Sequence, residues 1–142
     1  MTTAVLKALI DTNVWLRYIL EDSPTQFAQC QKLFERIEVG KILPYVSNVT
    51  IFELAYTLKT YYRLTLPEIK KTLENILRIR NLTIIEKTNS KTALKLYFKT
   101  KIKYADCLIA SQIKTGLVLV TYDQDFGKLV PKQSMTPGEA LN

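Results

Sequence analysis

Apolar residues form two kinds of segment that alternate along the chain. Four short runs are apolar almost throughout, which is typical of strands buried on both faces of a sheet; they cover residues 4–10, 42–46, 82–85 and 117–121. Longer segments carry apolar residues at the spacing of a helix, and they cover residues 14–20, 24–38, 49–62, 65–78, 90–98 and 105–114. This alternation predicts a parallel sheet covered by helices on both sides.

Local signals mark several helix ends. The segment Ser23-Pro24-Thr25-Gln26 has the form of a capping box with proline in the first turn, and Gly40 lies where a helix-ending glycine belongs. A second capping box opens at Thr65. The polar tail, residues 131–142, has room for a short edge strand. These signals predict one α/β domain over residues 1–142, with α/β/α layers and a central, mostly parallel sheet of four to five strands.

The composition favours a globular protein of the cytoplasm. Hydrophobic residues make up 47% of the 142 residues and charged residues 23%, which excludes the disordered and fibrous classes. No apolar run has the length of a membrane span, and the first residues lack the basic start of a signal peptide, so we expect no membrane partner. Cys30 and Cys107 lack the spacing of a metal or redox motif and are expected to be reduced core residues.

Two absences restrict the chemistry. The chain has no histidine, which excludes serine and cysteine catalysis with an imidazole base and any metal site built on imidazole. It also lacks the common glycine-rich motifs that bind phosphate. Catalysis must therefore depend on carboxylates, hydroxyls, lysines or a hard metal ion. The net charge of +7 favours a polyanionic partner such as nucleic acid.

Aspartates follow two of the predicted strands. Asp11 comes directly after the first strand, and Asp123 follows the last main strand, with Asp125 close behind. In open α/β sheets, ligands bind at the carboxyl ends of the strands, so these side chains are candidates for a site. Each of them taken alone also fits a turn residue or a helix N-cap.

Two further acids lie in strongly apolar helical segments. Glu53 has no basic residue three or four positions away, whereas Asp106 has Lys103, so its interpretation as a first-turn helix acid stays open. A carboxylate that faces a core is costly unless it is paired or binds a metal ion. Four acids in such positions suggest one shared cation, and ligands that are all oxygen atoms favour Mg²⁺ or Mn²⁺.

The order of these motifs is that of a known family. The chain resembles the PIN domain, and within it the ribonuclease toxins of VapBC toxin–antitoxin modules, through Asp11-Thr12-Asn13, Glu53, Asp106 in Ala-Asp-Cys-Leu-Ile-Ala, and Thr121-Tyr122-Asp123-Gln124-Asp125-Phe126. The resemblance covers nearly the whole chain. It implies a Mg²⁺- or Mn²⁺-dependent endoribonuclease whose catalytic and metal-binding residues are Asp11, Glu53, Asp106 and Asp123.

The resemblance also implies supporting residues and partners. Asn13 and Thr121 would orient the carboxylates, and Asp125 would be an auxiliary acid or a ligand of a second metal ion. A cognate antitoxin would insert an arginine into the acidic site, since a guanidinium pairs bidentately with carboxylates. A homodimer is expected through residues 49–78, whose apolar residues include Ile51, Phe52, Leu54, Tyr61, Tyr62, Leu64 and Leu66.

Lysines recur every four residues ahead of Asp106, at positions 87, 91, 95, 99 and 103, with no acid among them. On a helix this spacing forms one stripe, which is either a solvated face or a surface that follows RNA phosphates. On the second interpretation, the RNA-binding residues are Lys91, Lys95, Lys99 and Lys103. Aromatic residues at helical spacing are interpreted as core, and none is assigned to RNA.

The leading hypothesis is RNA hydrolysis by metal-activated water. Without histidine no side chain is a good base for the 2′-hydroxyl near neutral pH, so we expect 5′-phosphate and 3′-hydroxyl ends. A phosphoaspartyl-transfer enzyme is disfavoured, because Asp11-Thr12-Asn13 lacks a second acid and no lysine follows the last main strand. A non-catalytic, basic module that binds RNA or serves as a scaffold is the alternative.

Overall fold

The structure, a computed structural model, describes residues 4–142, and within them five strands and eight helices follow one another. The strands are β1 (Leu6–Ile10), β2 (Ile42–Ser47), β3 (Thr83–Ile85), β4 (Leu117–Val120) and β5 (Ser134–Met135). The helices are α1 (Thr12–Leu20), α2 (Pro24–Glu38), α3 (Asn48–Thr60), α4 (Leu66–Leu77), α5 (Ser90–Thr100), α6 (Tyr104–Ala110), α7 (Phe126–Leu129) and α8 (Pro137–Ala140). Every strand and helix expected from the apolar pattern is present, and the short helices α7 and α8 are additional.

The five strands form one parallel sheet in the order β3-β2-β1-β4-β5. Central β1 places Leu9 between Tyr45 of β2 and Leu119 of β4, and Ser134 of the edge strand β5 lies beside Leu119. The predicted parallel sheet and the edge strand in the tail are confirmed. The chain moves outward from β1 to β3 and then returns to the other side of β1. The carboxyl ends of β1 and β4 therefore flank the point where the strand order reverses, which is where open α/β sheets bind ligands.

Alternate side chains of the strands enter two hydrophobic cores, one on each face of the sheet. Ala8 and Ile10 pack with residues of α1, α2, α3 and α4, whereas Leu9 packs with residues of α5, α6 and α7. Trp15 is fully buried, and its Nε1 donates to the Ile10 carbonyl at 3.1 Å, which fixes α1 against the end of β1. The predicted three-layer arrangement is confirmed.

The helix ends follow the predicted signals in part. Gly40 has φ +80° and Thr65 accepts a hydrogen bond from the Glu68 amide at 3.3 Å, as predicted. The expected capping box at Ser23 is wrong, because the Ser23 side chain makes no capping bond, although Ser23 is the N-cap residue of α2. α6 ends at Ala110 rather than at residue 114.

The lysine stripe does not continue along one helix. Only Lys91, Lys95 and Lys99 lie in α5, because Lys101 takes a left-handed conformation with φ 59° and ends the helix. Lys103 is the N-cap residue of α6. The expectation of a single stripe up to position 103 is therefore wrong, because the chain turns at Lys101, between Lys99 on α5 and Lys103 at the start of α6.

Both cysteines are buried and unbridged, as expected from their spacing. In residues 4–142, none of the helices combines the length and the apolar character that crossing a bilayer requires.

Candidate active site

Asp11 is the most firmly held of the four acids. It is only 4% exposed, directly follows β1 and caps α1, with its Oδ1 accepting from the Thr12 amide at 2.8 Å. Its Oδ2 accepts from Thr121 Oγ1 at 2.7 Å and from Asn13 Nδ2 at 3.1 Å. Three donors, two from the first turn of α1 and one from the loop after β4, thus fix both carboxylate oxygens before any ligand is present.

The loop after β4 is tied to the same network. Thr121 Oγ1, besides donating to Asp11, accepts from the Asp123 amide at 2.9 Å, and Asn13 Oδ1 accepts from the Tyr122 amide at 3.1 Å. Asp123 Oδ1 in turn accepts from the Asp125 amide at 2.9 Å. These bonds hold Asp123 beside Asp11 at the reversal of strand order. Asp125 itself is exposed and its side chain makes no capping bond to α7.

Glu53 reaches the site from α3. Its Oε1 accepts from Thr12 Oγ1 at 2.8 Å, and Thr12 Oγ1 also lies 3.2 Å from the hydroxyl of the buried Thr50. Thr12 therefore holds two acids together, since its amide contacts Asp11 and its hydroxyl contacts Glu53. This role of Thr12 was not predicted, because its place between two acidic residues of the site becomes visible only when α3 is packed against α1.

Glu53 has no basic partner in its own helix, but it forms an ion pair with Lys103, the residue that precedes α6. Lys103 Nζ donates to Glu53 Oε2 at 2.9 Å, with the Glu53 side chain 15% exposed and the Lys103 side chain 63% exposed. Lys103 was considered as a local partner of Asp106, but its ion pair is with Glu53 and joins the start of α6 to α3. The role of Lys103 in binding RNA stays a prediction.

Asp106 lies in the first turn of α6, partly buried, with no side-chain hydrogen bond among residues 4–142. Burial raises its pKa to about 7; nearby Lys103 lowers it, and the charges of Asp11, Glu53 and Asp123 raise it further. The Asp106 carboxyl is therefore near enough to the other three acids to feel their charges, and no hydrogen bond within residues 4–142 stabilises its charged form.

The pKa of Asp11 is raised as well, to about 6. Burial is the main cause, the hydrogen bonds from Thr121 and Thr12 act in the opposite direction, and the charges of Glu53 and Asp123 add to the increase. The pKa of Lys103 is also raised: burial alone would lower it, but the hydrogen bond and the charges of the acids outweigh burial. The site therefore carries an excess of negative charge that favours a cation.

The residues fit a hard divalent cation by their chemistry. All four acids supply oxygen atoms, and burial with the neighbouring carboxylates raises the pKa of Asp11 and Asp106, an effect that a bound cation would oppose. As the side chains stand, no three carboxylates or thiols within residues 4–142 converge closely enough to form a finished metal site. Glu53, engaged by Lys103, is the ligand that would have to change partner.

The residues predicted to bind RNA or to form a dimer differ in their exposure to solvent. Lys91, Lys95 and Lys99 are exposed on α5. In the expected dimer segment, Phe52 is 71% exposed, Tyr61 76% and Leu66 67%. Leu54 is fully buried in the core, so its expected place on an exposed face is wrong.

One cavity is separate from the acids. It has a volume of about 600 Å³ and lies between α1, α2 and α4, where Trp15, Phe34 and Ile76 are among its lining residues. None of the four acids lines it.

The family follows from the sequence pattern and the geometry together. The family model of the PIN domain matches residues 8–130, a range that includes all four acids. The chain belongs to the PIN domain family. The resemblance stated from the motifs is thereby confirmed at the level of the family. No curated protein matches this PIN domain.

Several solved structures share this PIN fold. VapBC2 from Rickettsia felis, bound to a DNA fragment from their promoter, has a TM-score of 0.65 and 19% identity, covering 92% of this chain and 98% of that one. PAE2754 from Pyrobaculum aerophilum has a TM-score of 0.63 and 18% identity, covering 96% and 92%. A toxin–antitoxin complex from Klebsiella pneumoniae has a TM-score of 0.59 and 19% identity, covering 92% and 97%. At these identities the likeness establishes the fold alone.

Proposed function

We propose that this PIN domain is a divalent-metal-dependent endoribonuclease and the toxin of a VapBC-type toxin–antitoxin pair in the cytoplasm. The observation that carries the proposal is the approach of four carboxylates from β1, α3, α6 and the loop after β4, close enough for their charges to act on one another. Two of the similar structures are of VapBC2 and of a toxin–antitoxin complex, which supports the assignment to such a pair.

In this proposal Asp11, Glu53, Asp106 and Asp123 hold Mg²⁺ or Mn²⁺. When bound, such an ion supplies charge neutralisation for a phosphodiester and lowers the pKa of water. Asn13 and Thr121 are positioning residues, since both donate to Asp11 Oδ2 and so fix the direction of that carboxylate. Asp125 serves as an auxiliary acid near the rim of the site.

The lysines bring the polyanion to the acids. Lys91, Lys95 and Lys99 are exposed on α5, ahead of the turn that leads to Asp106. Their charges attract the RNA backbone and offset its repulsion by the acidic site. Lys103 balances the charge of Glu53 until that carboxylate takes a new partner.

Cleavage of a labelled RNA tests the enzymatic proposal. We expect cleavage with Mg²⁺ or Mn²⁺, none with a chelator, and products with 5′-phosphate and 3′-hydroxyl ends. Products with 2′,3′-cyclic phosphate ends would contradict hydrolysis by water. RNA binding without cleavage in any divalent metal would favour the non-catalytic RNA-binding or scaffolding alternative.

An antitoxin that inserts an arginine suits the charge of the site. Lys103 already brings one cation to 2.9 Å from Glu53, and a guanidinium could pair with two carboxylate oxygens at once. We expect co-expression with the protein encoded upstream to give a stable complex in which cleavage is lost. Restored cleavage after replacing that partner's arginine by alanine would support the insertion; unchanged inhibition would contradict it.

A homodimer through α3 and the start of α4 accounts for the exposed apolar residues there. Phe52, Tyr61 and Leu66 are each more than half exposed, and Phe52 stacks on the exposed Tyr56 with ring centroids 6.4 Å apart. Light scattering at micromolar concentration should report a dimer. A monomer for the wild type would contradict this part of the proposal.

A further inference from the structure

Three apolar side chains on α5 remain outside the core. Leu94 is 42% exposed, Tyr97 39% and Phe98 73%, whereas the same helix packs inward through Ala93 and Leu96. Tyr97 was expected to be a core residue, and at 39% exposed it is not one. An aromatic ring that is three-quarters exposed needs a reason other than folding.

The exposed rings lead towards the acids. The Tyr97 ring lies 5.6 Å from that of Phe98 and 5.7 Å from that of Tyr104, measured between centroids. Tyr104 is the first residue of α6, and Asp106 lies two residues further in the same turn. The aromatic series therefore runs without interruption from the outer surface of α5 to the helix that carries one of the four acids.

Unpaired lysines border these rings. Lys91 and Lys95 precede Leu94 and Phe98 by three positions each, which places them on the neighbouring stripe of the helix. Within residues 4–142, no ion pair involves Lys91, Lys95, Lys99 or Lys101. This contrasts with α4, where Lys70 and Arg78 both contact Glu74.

We propose that Tyr97 and Phe98, with the lysines beside them, form a binding site for single-stranded RNA, in which an unpaired base stacks on the exposed Phe98 ring. This inference rests on the nuclease proposed above and adds a site to it. Charge favours RNA over a protein partner here, because phosphates can neutralise lysines that nothing in the described chain balances. Aromatic rings favour single strands, since only unpaired bases offer their faces for stacking.

Binding can be measured apart from cleavage, with the full chain in a chelating buffer and a short single-stranded RNA that contains 2-aminopurine. Phe98→Ala should weaken binding about fivefold or more and reduce the quenching of 2-aminopurine that stacking causes. Phe98→Leu should lose nearly as much, because it keeps the apolar volume but not the ring, and Phe98→Trp should restore binding. Val39→Ala, at a residue 66% exposed on the end of α2, is the distant apolar control and should bind normally.

Salt dependence separates the rings from the lysines. Lys95→Gln should lower the slope of log affinity against log salt by about 0.7, the value for one phosphate contact on a single strand. Phe98→Ala should leave that slope unchanged while lowering the affinity. A duplex of the same sequence should bind Phe98→Ala and wild type equally.

Three results would overturn this site. The first is that Phe98→Ala binds single-stranded RNA and quenches 2-aminopurine as the wild type does. The second is that Val39→Ala loses as much RNA affinity as Phe98→Ala. The third is that Phe98→Ala changes the oligomeric state of the protein but not its affinity for RNA. The last would make the rings a protein interface. These binding experiments do not measure cleavage, so the three results would leave the nuclease proposal unaffected. Conversely, a wild type that binds RNA through Phe98 but does not cleave it in the separate cleavage assay would contradict the nuclease proposal and leave this binding site intact.

Discussion

The two halves of the acidic site are held in different ways. Asp11 is fixed by three donors from the first turn of α1 and the loop after β4, and the Asp123 amide donates to the hydroxyl of Thr121, which is one of those donors. On the other half, Glu53 is held by one hydroxyl and one exposed lysine, and Asp106 has no side-chain hydrogen bond within residues 4–142. The sheet therefore organises one half of the site in advance, and the helices leave the other half adjustable by charge.

This difference suggests a division of labour in binding. In the metal site proposed above, the preorganised Asp11 would lose little freedom on accepting a cation, whereas Glu53 would have to exchange the ammonium group of Lys103 for it. The mutual repulsion of the four carboxylates would favour that exchange.

The largest effect is expected from removing a ligand charge on either half. Asp11→Asn and Asp106→Asn keep the size of the side chain but weaken cation binding, so cleavage of RNA should fall on the order of 100-fold or more. Asp22→Asn is the matched control, since Asp22 pairs with Arg17 on the surface. Near-normal Mg²⁺-dependent cleavage by either site variant would remove that residue from the catalytic set.

The pH dependence of stability should also reveal the buried charge of Asp11. Its pKa rises from 3.8 to about 6 on folding, so the folded state binds the proton more tightly. The resulting contribution to stability is fully present below pH 3.8, the pKa in the unfolded chain, and is lost as the pH rises through about 6. The raised pKa of Asp106 extends this loss to about pH 7. In metal-free buffer, thermal unfolding should therefore occur at higher temperature at pH 5 than at pH 8.

Asp11→Asn isolates this contribution. Asp11 is only 4% exposed, and the shift of its pKa from 3.8 to about 6 corresponds to at most about 3 kcal/mol of unfolding free energy, lost between those two pH values. The variant should lose that part of the pH dependence. At pH 8 without metal, the variant should be the more stable protein. A variant that is less stable than wild type at pH 8 would indicate that the Asp11 charge is structural.

Thr121→Val tests whether the preorganised half depends on its hydroxyl. The change keeps the shape but removes the donor to Asp11 Oδ2 and the acceptor for the Asp123 amide. Losses of about 10- to 100-fold in activity are typical when such a supporting group is removed. Thr121→Ser should recover most of the activity, and an inactive serine variant with an unaltered fold would argue for a steric role instead.

The sequence predicts the sheet half of the site better than the helical half. Asp11 and Asp123 could be placed together because parallel strands bring their carboxyl ends to one edge, and runs that are apolar almost throughout identify those strands. The partners of Glu53 could not be found, because Thr12 and Lys103 are 41 and 50 positions away in the chain and meet it only through helix packing. The sequence predicts a break between the helical segments 90–98 and 105–114, but it does not show that Lys103 leaves the lysine stripe, because no glycine marks the left-handed turn at Lys101.

The smallest effect is expected at the adjustable half. Lys103→Gln removes the ammonium that pairs with Glu53 Oε2, so Glu53 becomes free to accept a metal ion without giving up a partner. Because ion pairs of exposed lysines contribute about 0–1 kcal/mol, Mn²⁺ should bind about two- to fivefold more tightly. Calorimetric titration with Mn²⁺ measures this directly, without RNA. Lys99→Gln makes the same change of charge on α5, where no ion pair is broken, and should alter the affinity less. Equal changes in both variants would mean that only net charge matters, and weaker Mn²⁺ binding by Lys103→Gln would mean that the lysine orients Glu53 rather than competing with the metal ion.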